Sequence, residues 1–209
     1  MAVEEKTQLE RMIAGELYDP SVPEIANLLS KAHQLCKDYN SCKESDEEQR
    51  ESILRELIPN RGVGTYLNGP IFFDYGRFTT LGDHVYANFN FTVLDVCPVT
   101  IGDNVMFGPN VSLLTLLHPL RWQERNSRQH RDGSTFDYEY GAPITIGANC
   151  WLAGNVTVTA GANIGAGSVI GAGAVVTHDI PENVLAAGVP CKVIREISEA
   201  DRMNLPAFE

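Results

Sequence analysis

The sequence predicts a mainly β protein built as a triangular β-solenoid, with an α-helical segment before it. Three observations support this prediction. Apolar residues recur every six positions over long stretches between residues 81 and 176. Gly, Asn and other small residues follow these apolar positions, where the chain has to turn. Residues 1–60 are poor in Gly and carry apolar residues at helical spacing instead.

The sequence of the N-terminal segment, residues 1–60, predicts three helices. Apolar residues at positions 9, 12 and 13 suit the first helix, and those at 28, 29, 32 and 35 suit the second. A third helix is expected to begin near Ser45 and Asp46 and to run through Leu57, with Pro59 and Gly62 ending it.

The solenoid is predicted over residues 61–192. Its six-residue step holds from Ile146 to Val176 without a slip, and it also holds over residues 81–93 and 101–113. Six residues make a short strand and a turn, so three such units close one coil of about 18 residues. The first residue of each unit points inward and stacks on its counterpart in the next coil. A Gly-rich strand protein of another type is the alternative, which the unbroken phase disfavours.

The six-residue register is interrupted twice. It slips by two residues at Cys97 and Pro98, and it is lost over about residues 115–143. The second stretch is polar and has His118 at its start, so a loop is expected to leave the solenoid there. Long loops on compact domains are usually functional. Residues 193–209 are expected to form a C-terminal capping segment with a short helix, because solenoid ends need capping.

Composition limits the function classes. The formal net charge of −11 disfavours nucleic acid as a partner, because neutralising phosphates requires a basic surface. No apolar run approaches the roughly 18 residues of a membrane span, and the first residues lack a signal-peptide core, so a cytoplasmic protein without a membrane partner is expected. The five cysteines form no C-x-x-C motif, which predicts free thiols and no metal centre.

The candidate functional residues lie near the positions where the six-residue register changes. His118 begins the loop, and an imidazole there can take a proton from a hydroxyl, with a structural turn histidine as the alternative. Asn88, Asn90 and Asp95 place polar groups on apolar strands. For the asparagines a corner ladder is the alternative, whereas a buried Asp95 needs a partner such as a sugar hydroxyl or His118. His33 and His130 lie in polar segments and receive no role.

Two further features suit a long ligand. Trp151 stands among small residues and either shapes a binding tunnel or fills the core. Thr177, His178, Lys192 and Arg195 cluster at the end of the solenoid, where cations suit phosphate groups. Ordinary surface pairing is the alternative for these four residues.

Several stretches together resemble the maltose and galactoside O-acetyltransferases, a family of left-handed β-helix acyltransferases. The likeness spans nearly the whole chain in order, and it is carried by MIAGELY at 12–18, YANFN at 86–90, LDVCP at 94–98, TIGDNV at 100–105, HP at 118–119, PITIGANCWLAG at 143–154 and NVLAAGVPCKVIREI at 183–197.

The resemblance implies a left-handed parallel β-helix, a homotrimer with active sites shared between subunits, a sugar acceptor, and acetyl-CoA as the donor, with no metal. His118 matches the general base. The acceptor positions are Tyr86, Asn88, Asp95 and, through the N-terminal segment, Asp19. The positions along acetyl-CoA are Trp151, Ala153, Gly154, Ala172, Thr177, His178, Lys192 and Arg195, with a backbone N–H near Ala153 and Gly154 for the oxyanion.

The chain departs from the family pattern at several positions. His178 stands in place of the usual Lys, Leu152 and Ala153 in place of Ile and Gly, and Val96 in place of a second acid. Asp19 is one residue from the family position, and the loop after His118 is longer than usual. Acetylation of serine or of an amino group stays open as a variant. A metal-dependent hydrolyase and a non-catalytic scaffold are further alternatives.

Overall fold

The computed structural model describes residues 5–206, so the ends of the predicted N-terminal and C-terminal segments lie outside it. Three helices come first, as the apolar spacing predicts. They are α1 (Gln8–Ile13), α2 (Pro23–Ser41) and α3 (Glu47–Leu57). Thr7 caps α1 with its hydroxyl, and Pro23 begins α2, where its missing N–H costs nothing. No helix among residues 5–206 is long and apolar enough to span a bilayer.

The solenoid consists of three sheets that the chain visits in turn, and their strands are parallel except for the last strand of sheet 2. Sheet 1 contains β1 (Asn60–Arg61), β4 (Thr79–Leu81), β7 (Val99–Ile101), β14 (Ile144–Ile146) and β17 (Asn163–Ile164). Sheet 2 contains β2 (Tyr66–Leu67), β5 (Tyr86–Ala87), β8 (Met106–Phe107), β15 (Trp151–Leu152), β18 (Val169–Ile170), β20 (Val184–Ala187) and β21 (Lys192–Glu196). Sheet 3 contains β3 (Ile71–Phe73), β6 (Phe91–Leu94), β9 (Ser112–Leu114), β16 (Thr157–Thr159) and β19 (Val175–Val176).

The six-residue register corresponds to the stacking of the coils. In sheet 1, Ile101 pairs with Ile146, and Ile146 pairs with Ile164 in the following coil. The corresponding positions of sheets 2 and 3 pair in the same way, and all of these side chains are buried. The predicted fold class, a mainly β solenoid with N-terminal helices, is therefore confirmed.

One corner of the solenoid is turned by an asparagine ladder. Asn90, Asn110 and Asn155 all have φ near +60°, a backbone conformation that asparagine tolerates better than most residues. The amide of Asn90 donates to Asn110 over 2.8 Å, and that of Asn110 donates to Asn155 over 3.1 Å. For Asn90, the corner ladder is therefore the correct one of the two interpretations.

A loop leaves the solenoid after Thr115, at the edge between sheet 3 and sheet 1. Its base is an antiparallel pair, β10 (Leu116–Leu117) with β13 (Tyr140–Gly141). Between them lie a short helix, α4 (Trp122–Arg125), and a hairpin of β11 (Arg128–Gln129) and β12 (Thr135–Phe136). Internal pairing thus gives the loop a defined shape above the edge.

The C-terminal segment differs in part from its prediction. Instead of a helix from residue 193, the chain continues as β21, antiparallel to β20, and then makes one 3-10 turn over Glu199–Asp201. The pattern of Lys192–Glu196, in which every residue is exposed, gives no period that distinguishes a strand from a helix. β21 covers the last coil of sheet 2.

Candidate functional site

His118 lies at the base of the loop, close to two carboxylates. Its Nδ1 is 3.8 Å from an Asp137 carboxylate oxygen, and this buried nitrogen has no hydrogen-bond partner among the described residues. The His118 side chain remains 39% exposed. His118, Asp137 and Glu139 offer ligand-type atoms that all lie within 4.8 Å of one another. One histidine with two acids falls short of the three histidines of a hydrolyase zinc site.

Glu139 is fixed by the N-terminal segment that precedes α2. The backbone of Tyr18 exchanges two hydrogen bonds with that of Glu139, 2.9 and 3.1 Å long, and the Tyr18 hydroxyl donates to the Glu139 carboxylate. Burial raises the pKa of Glu139, and the Tyr18 hydrogen bond and His118 oppose that rise. The negative charges of Asp137 and Asp74 raise the pKa of Glu139 further, so several acidic side chains lie near this edge of the solenoid. We call residues 14–19 the strap.

Asp19, predicted to bind the acceptor, has its carboxylate engaged within the chain. One oxygen accepts hydrogen bonds from the N–H and hydroxyl of Ser21, and the other lies 3.0 Å from His130 Nε2. The residue is 6% exposed. The structure therefore gives Asp19 a partner, His130, for which the sequence alone indicates no role.

Asp95 is fully buried at the edge between sheets 3 and 1, and it does not bond to His118. Its carboxylate accepts hydrogen bonds from the N–H groups of Tyr75 and Gly76 and from the hydroxyl of Thr79, at 2.9 to 3.1 Å. Burial raises the pKa of Asp95 to about 7, and these hydrogen bonds oppose the rise. A buried Asp95 needs a hydrogen-bonding partner, and the groups at this corner of the solenoid supply it. An acceptor therefore does not reach Asp95 in this chain.

Replacing Asp95 by Asn is expected to change how stability depends on pH. An acid whose pKa is about 7 in the fold and 3.8 in its ordinary state binds more protons when folded. The free energy of unfolding therefore falls between about pH 4 and pH 7, by about 2–4 kcal/mol for this group. The Asp95→Asn variant keeps an acceptor for both N–H groups and a donor for Thr79, and it lacks this fall. Thermal midpoints measured from pH 4.5 to 7.5 test this, and parallel profiles would contradict it.

The second group of candidates lies on the outer surface of sheet 2. Trp151 points outward from β15 and is 47% exposed, so it does not fill the core. Tyr86 is half-buried on β5, where its ring stacks on Tyr66 at 6.2 Å and its hydroxyl accepts from Asn68. Asn88 follows β5, and its side chain accepts the Phe89 N–H over 2.8 Å.

The turn after β15 contains the backbone groups predicted for an oxyanion. The Ala153 N–H donates to the Ile170 carbonyl over 2.9 Å, so it belongs to the ladder. The Gly154 N–H has no acceptor within the part of the chain that is described, which makes it the better candidate. Ala172 is exposed in the equivalent turn of the next coil.

The candidate phosphate residues at the end of the solenoid fall into two places. Thr177 and His178 follow β19 and contact each other over 3.2 Å at the edge between sheets 3 and 1. Lys192 and Arg195 lie on β21 of sheet 2. Arg195 makes two hydrogen bonds with the carboxylate of Asp201, at 2.6 and 2.8 Å, which lowers the pKa of Asp201 to about 2. Lys192 has no ion-pair partner among residues 5–206.

The candidates therefore form two groups on different sides of the solenoid. His118, Asp19, Thr177 and His178 lie at the edge between sheets 3 and 1. Tyr86, Trp151 and Lys192 lie on sheet 2, and Asn88, Ala153, Gly154 and Ala172 lie in the turns that follow its strands. In a triangular cross-section, that edge is opposite to sheet 2. The His118 group and the Trp151 group thus face away from each other in one chain.

Comparison with known proteins identifies the family. A family model described as the maltose acetyltransferase hexapeptide capping motif matches residues 11–62. Models for bacterial transferase hexapeptides and for the hexapeptide repeat of succinyl-transferase match residues 143–178 and 98–113. Galactoside O-acetyltransferase of Escherichia coli (strain K12) is 40% identical over 193 residues, which cover 92% of this chain and 91% of the relative. The chain belongs to the maltose and galactoside O-acetyltransferase family.

Solved structures of family members share the fold of this acetyltransferase over nearly its whole length. A maltose O-acetyltransferase from Clostridium difficile 630 has a TM-score of 0.86 and 39% identity, covering 94% of this chain and all of that one. A galactoside acetyltransferase in complex with coenzyme A has the same TM-score and 38% identity, with 98% of both chains covered. The resemblance seen in the sequence is thus confirmed.

The carboxylates around the histidine of this acetyltransferase are marked by no motif named above. Asp137 and Glu139 lie in the loop where the six-residue register is lost, so no periodic position marked them. Their spacing of two residues, which places both on one face of an extended segment, was the available signal. Asp74 was also missed. It lies 3.5 Å from His33 beside a cavity of about 240 Å³ under α2.

Proposed function

We propose that this acetyltransferase moves the acetyl group of acetyl-CoA to a hydroxyl group of a sugar, with His118 as the general base. Galactoside and maltose O-acetyltransferases among its relatives, one of them solved with coenzyme A, support the reaction class. The observation that carries the role of His118 is its position beside Asp137 and Glu139 at the base of the loop.

The proposed reaction is one proton-assisted acyl transfer. His118 removes the proton of the acceptor hydroxyl while that oxygen bonds to the thioester carbonyl carbon. The C–S bond then breaks, and the proton passes from His118 to the coenzyme A sulfur. Because Nδ1 is buried and faces Asp137, Nε2 is the nitrogen available for this transfer. The negative charges of Asp137 and Glu139 stabilise the imidazolium that forms in between.

The donor is proposed to lie along sheet 2 of a neighbouring subunit. Trp151 would flank the pantetheine arm, the Gly154 N–H would stabilise the oxyanion, and Ala172 would leave room for the chain of the cofactor. The proposed contacts for the nucleotide end are Lys192 of that same subunit and Thr177 and His178 of the subunit that carries His118. Since Arg195 is already paired with Asp201, we assign it a smaller share of the phosphate binding than Lys192.

A homotrimer with shared sites is the proposed assembly. The support for it is that His118 lies at an edge opposite to the surface that carries Trp151, so a complete site needs two chains. In a ring of three, each loop would reach the sheet 2 surface of the next subunit. Tyr86 and Asn88 would then approach the acceptor from the second subunit.

Replacing Glu139 by Gln is expected to lower kcat about tenfold. The amide retains an acceptor for the Tyr18 hydroxyl but removes a negative charge that stabilises the imidazolium. Steady-state kinetics at saturating acetyl-CoA measure the effect, and Glu124→Gln, in the same loop, serves as the matched control. Equal kcat in both variants would show that the Glu139 charge does not act on His118.

A panel of acceptors tests the proposed function. Purified protein is incubated with acetyl-CoA and with maltose, glucose, a galactoside, an amino sugar or serine, and the release of free coenzyme A thiol is measured. We expect release with at least one of the neutral sugars, and mass spectrometry should show one added acetyl group on a hydroxyl. If thiol is released only with serine or with the amino sugar, the acceptor group is not a hydroxyl of a neutral sugar.

A further inference from the structure

The hairpin of the loop has no part in the reaction proposed above, yet it is tied to the strap. His130 Nε2 lies 3.0 Å from a carboxylate oxygen of Asp19 and 3.4 Å from the Ser21 hydroxyl. The His130 ring also stacks on Phe136, with 4.1 Å between ring centroids and 19° between the planes. His130 is thereby held from two sides, by the strap and by its own hairpin.

The strand that follows the hairpin has two faces with different neighbours. Side chains alternate between opposite faces of an extended segment. Phe136 and Tyr138 contact each other edge-to-face at 5.1 Å, on the face that also contacts His130. Asp137 and Glu139 approach His118 from the other face.

The strap shows the same alternation. Tyr18 donates its hydroxyl to Glu139, whereas the next residue, Asp19, pairs with His130. The pair of Asp19 and His130 therefore lies behind the strand that presents Asp137 and Glu139 to His118.

We propose that His130 is a positioning residue whose pair with Asp19 holds residues 136–139 against His118. This inference rests on the proposed role of His118 as the base. The pair joins the hairpin to the strap directly behind the two carboxylates, and Asp19 is 6% exposed with both oxygens engaged. Losing either partner frees the hairpin, so the carboxylates lose their fixed distance from the imidazole. Asp19 acts on catalysis through His130, instead of binding the acceptor.

The test is a double-mutant cycle on the intact enzyme. His130→Ala and Asp19→Ala are each expected to lower kcat about tenfold, with the acceptor KM within about twofold of that of the parent enzyme. The double variant is expected to have the same kcat as either single variant, because each single substitution already removes the same interaction. His130→Gln, which keeps a donor for Asp19, should recover most of the lost kcat. Ser134→Ala, at the hairpin turn, is the control.

The pH profile separates positioning from a loss of stability. Moving two carboxylates away from an imidazolium disfavours its protonated form, so the acidic limb of kcat/KM should move to lower pH in both single variants. NMR titration of the His118 ring should show the same displacement without any acceptor present. This second measurement stays valid if no sugar is acetylated, an outcome that would overturn the proposed function alone.

Three results would overturn the positioning role. A raised acceptor KM in Asp19→Ala, with His130→Ala unchanged, would make Asp19 an acceptor ligand. Additive losses in the double variant would show that the two residues act separately. An unchanged His118 titration in both single variants would show that the pair does not hold the carboxylates.

Discussion

Replacing His118 by Asn is expected to lower acetyl transfer about 10²- to 10⁴-fold while the protein stays folded and assembled. The large loss follows because an asparagine amide cannot accept the proton of the acceptor hydroxyl, and general-base catalysis contributes a factor of this size. Folding should persist because the His118 side chain is 39% exposed and its Nδ1 makes no hydrogen bond among residues 5–206. Thiol release measures the rate, and light scattering measures the mass of the assembly.

His84→Asn is the matched control for this substitution. His84 is exposed at a corner of the solenoid with φ at 56°, where an asparagine is easily accommodated. Its activity should be close to that of the parent enzyme. If His118→Asn retains the parent rate, His118 is not the base, and the acceptor proton must be removed by another group.

Replacing Phe91 by Ala is expected to destabilise the solenoid by about 3–5 kcal/mol. Phe91 is fully buried, and its ring lies between Phe73, at 5.9 Å, and Phe107, at 4.7 Å. The substitution leaves a cavity in the stack that links neighbouring coils, and it removes two aromatic contacts. The thermal midpoint should fall by about 10 °C, which differential scanning fluorimetry measures directly.

Phe72→Ala provides the comparison within the same sheet. Phe72 lies on β3, points outward and is 47% exposed, so its loss should cost about 1 kcal/mol or less. Equal thermal midpoints for the two variants would contradict the inward stacking of Phe91 and the outward position of Phe72.

The solenoid was predictable from sequence because its geometry repeats. Each coil must bury one residue at the start of every strand, so residues such as Ile101, Ile146 and Ile164 are constrained to be apolar at a fixed interval. The N-terminal helices followed from apolar spacing, and the family followed from ordered motifs along the chain. His118 stood out because it is placed where the repeat stops.

The surroundings of His118 were less predictable for a physical reason. Glu139 and Tyr18 are 121 residues apart, and their contact depends on how the strap crosses the base of the loop. Asp19 and His130 meet through the same crossing. Loop contacts of this kind follow no period. Asp95 matched an acceptor position by motif, but its burial and its bonds to the backbone emerge only in three dimensions.

The direct test of a site shared between chains is to mix two defective chains. His118→Asn and Trp151→Ala chains with different tags are coexpressed, and assemblies that carry both tags are purified. They are assayed at an acetyl-CoA concentration at which each variant, assembled on its own, is almost inactive. In a shared site, His118 of one chain meets Trp151 of the next, so each mixed trimer should contain one intact site and recover about one third of the normal activity. Activity no higher than that of the two variants assembled separately would place the complete site within a single chain and contradict this arrangement.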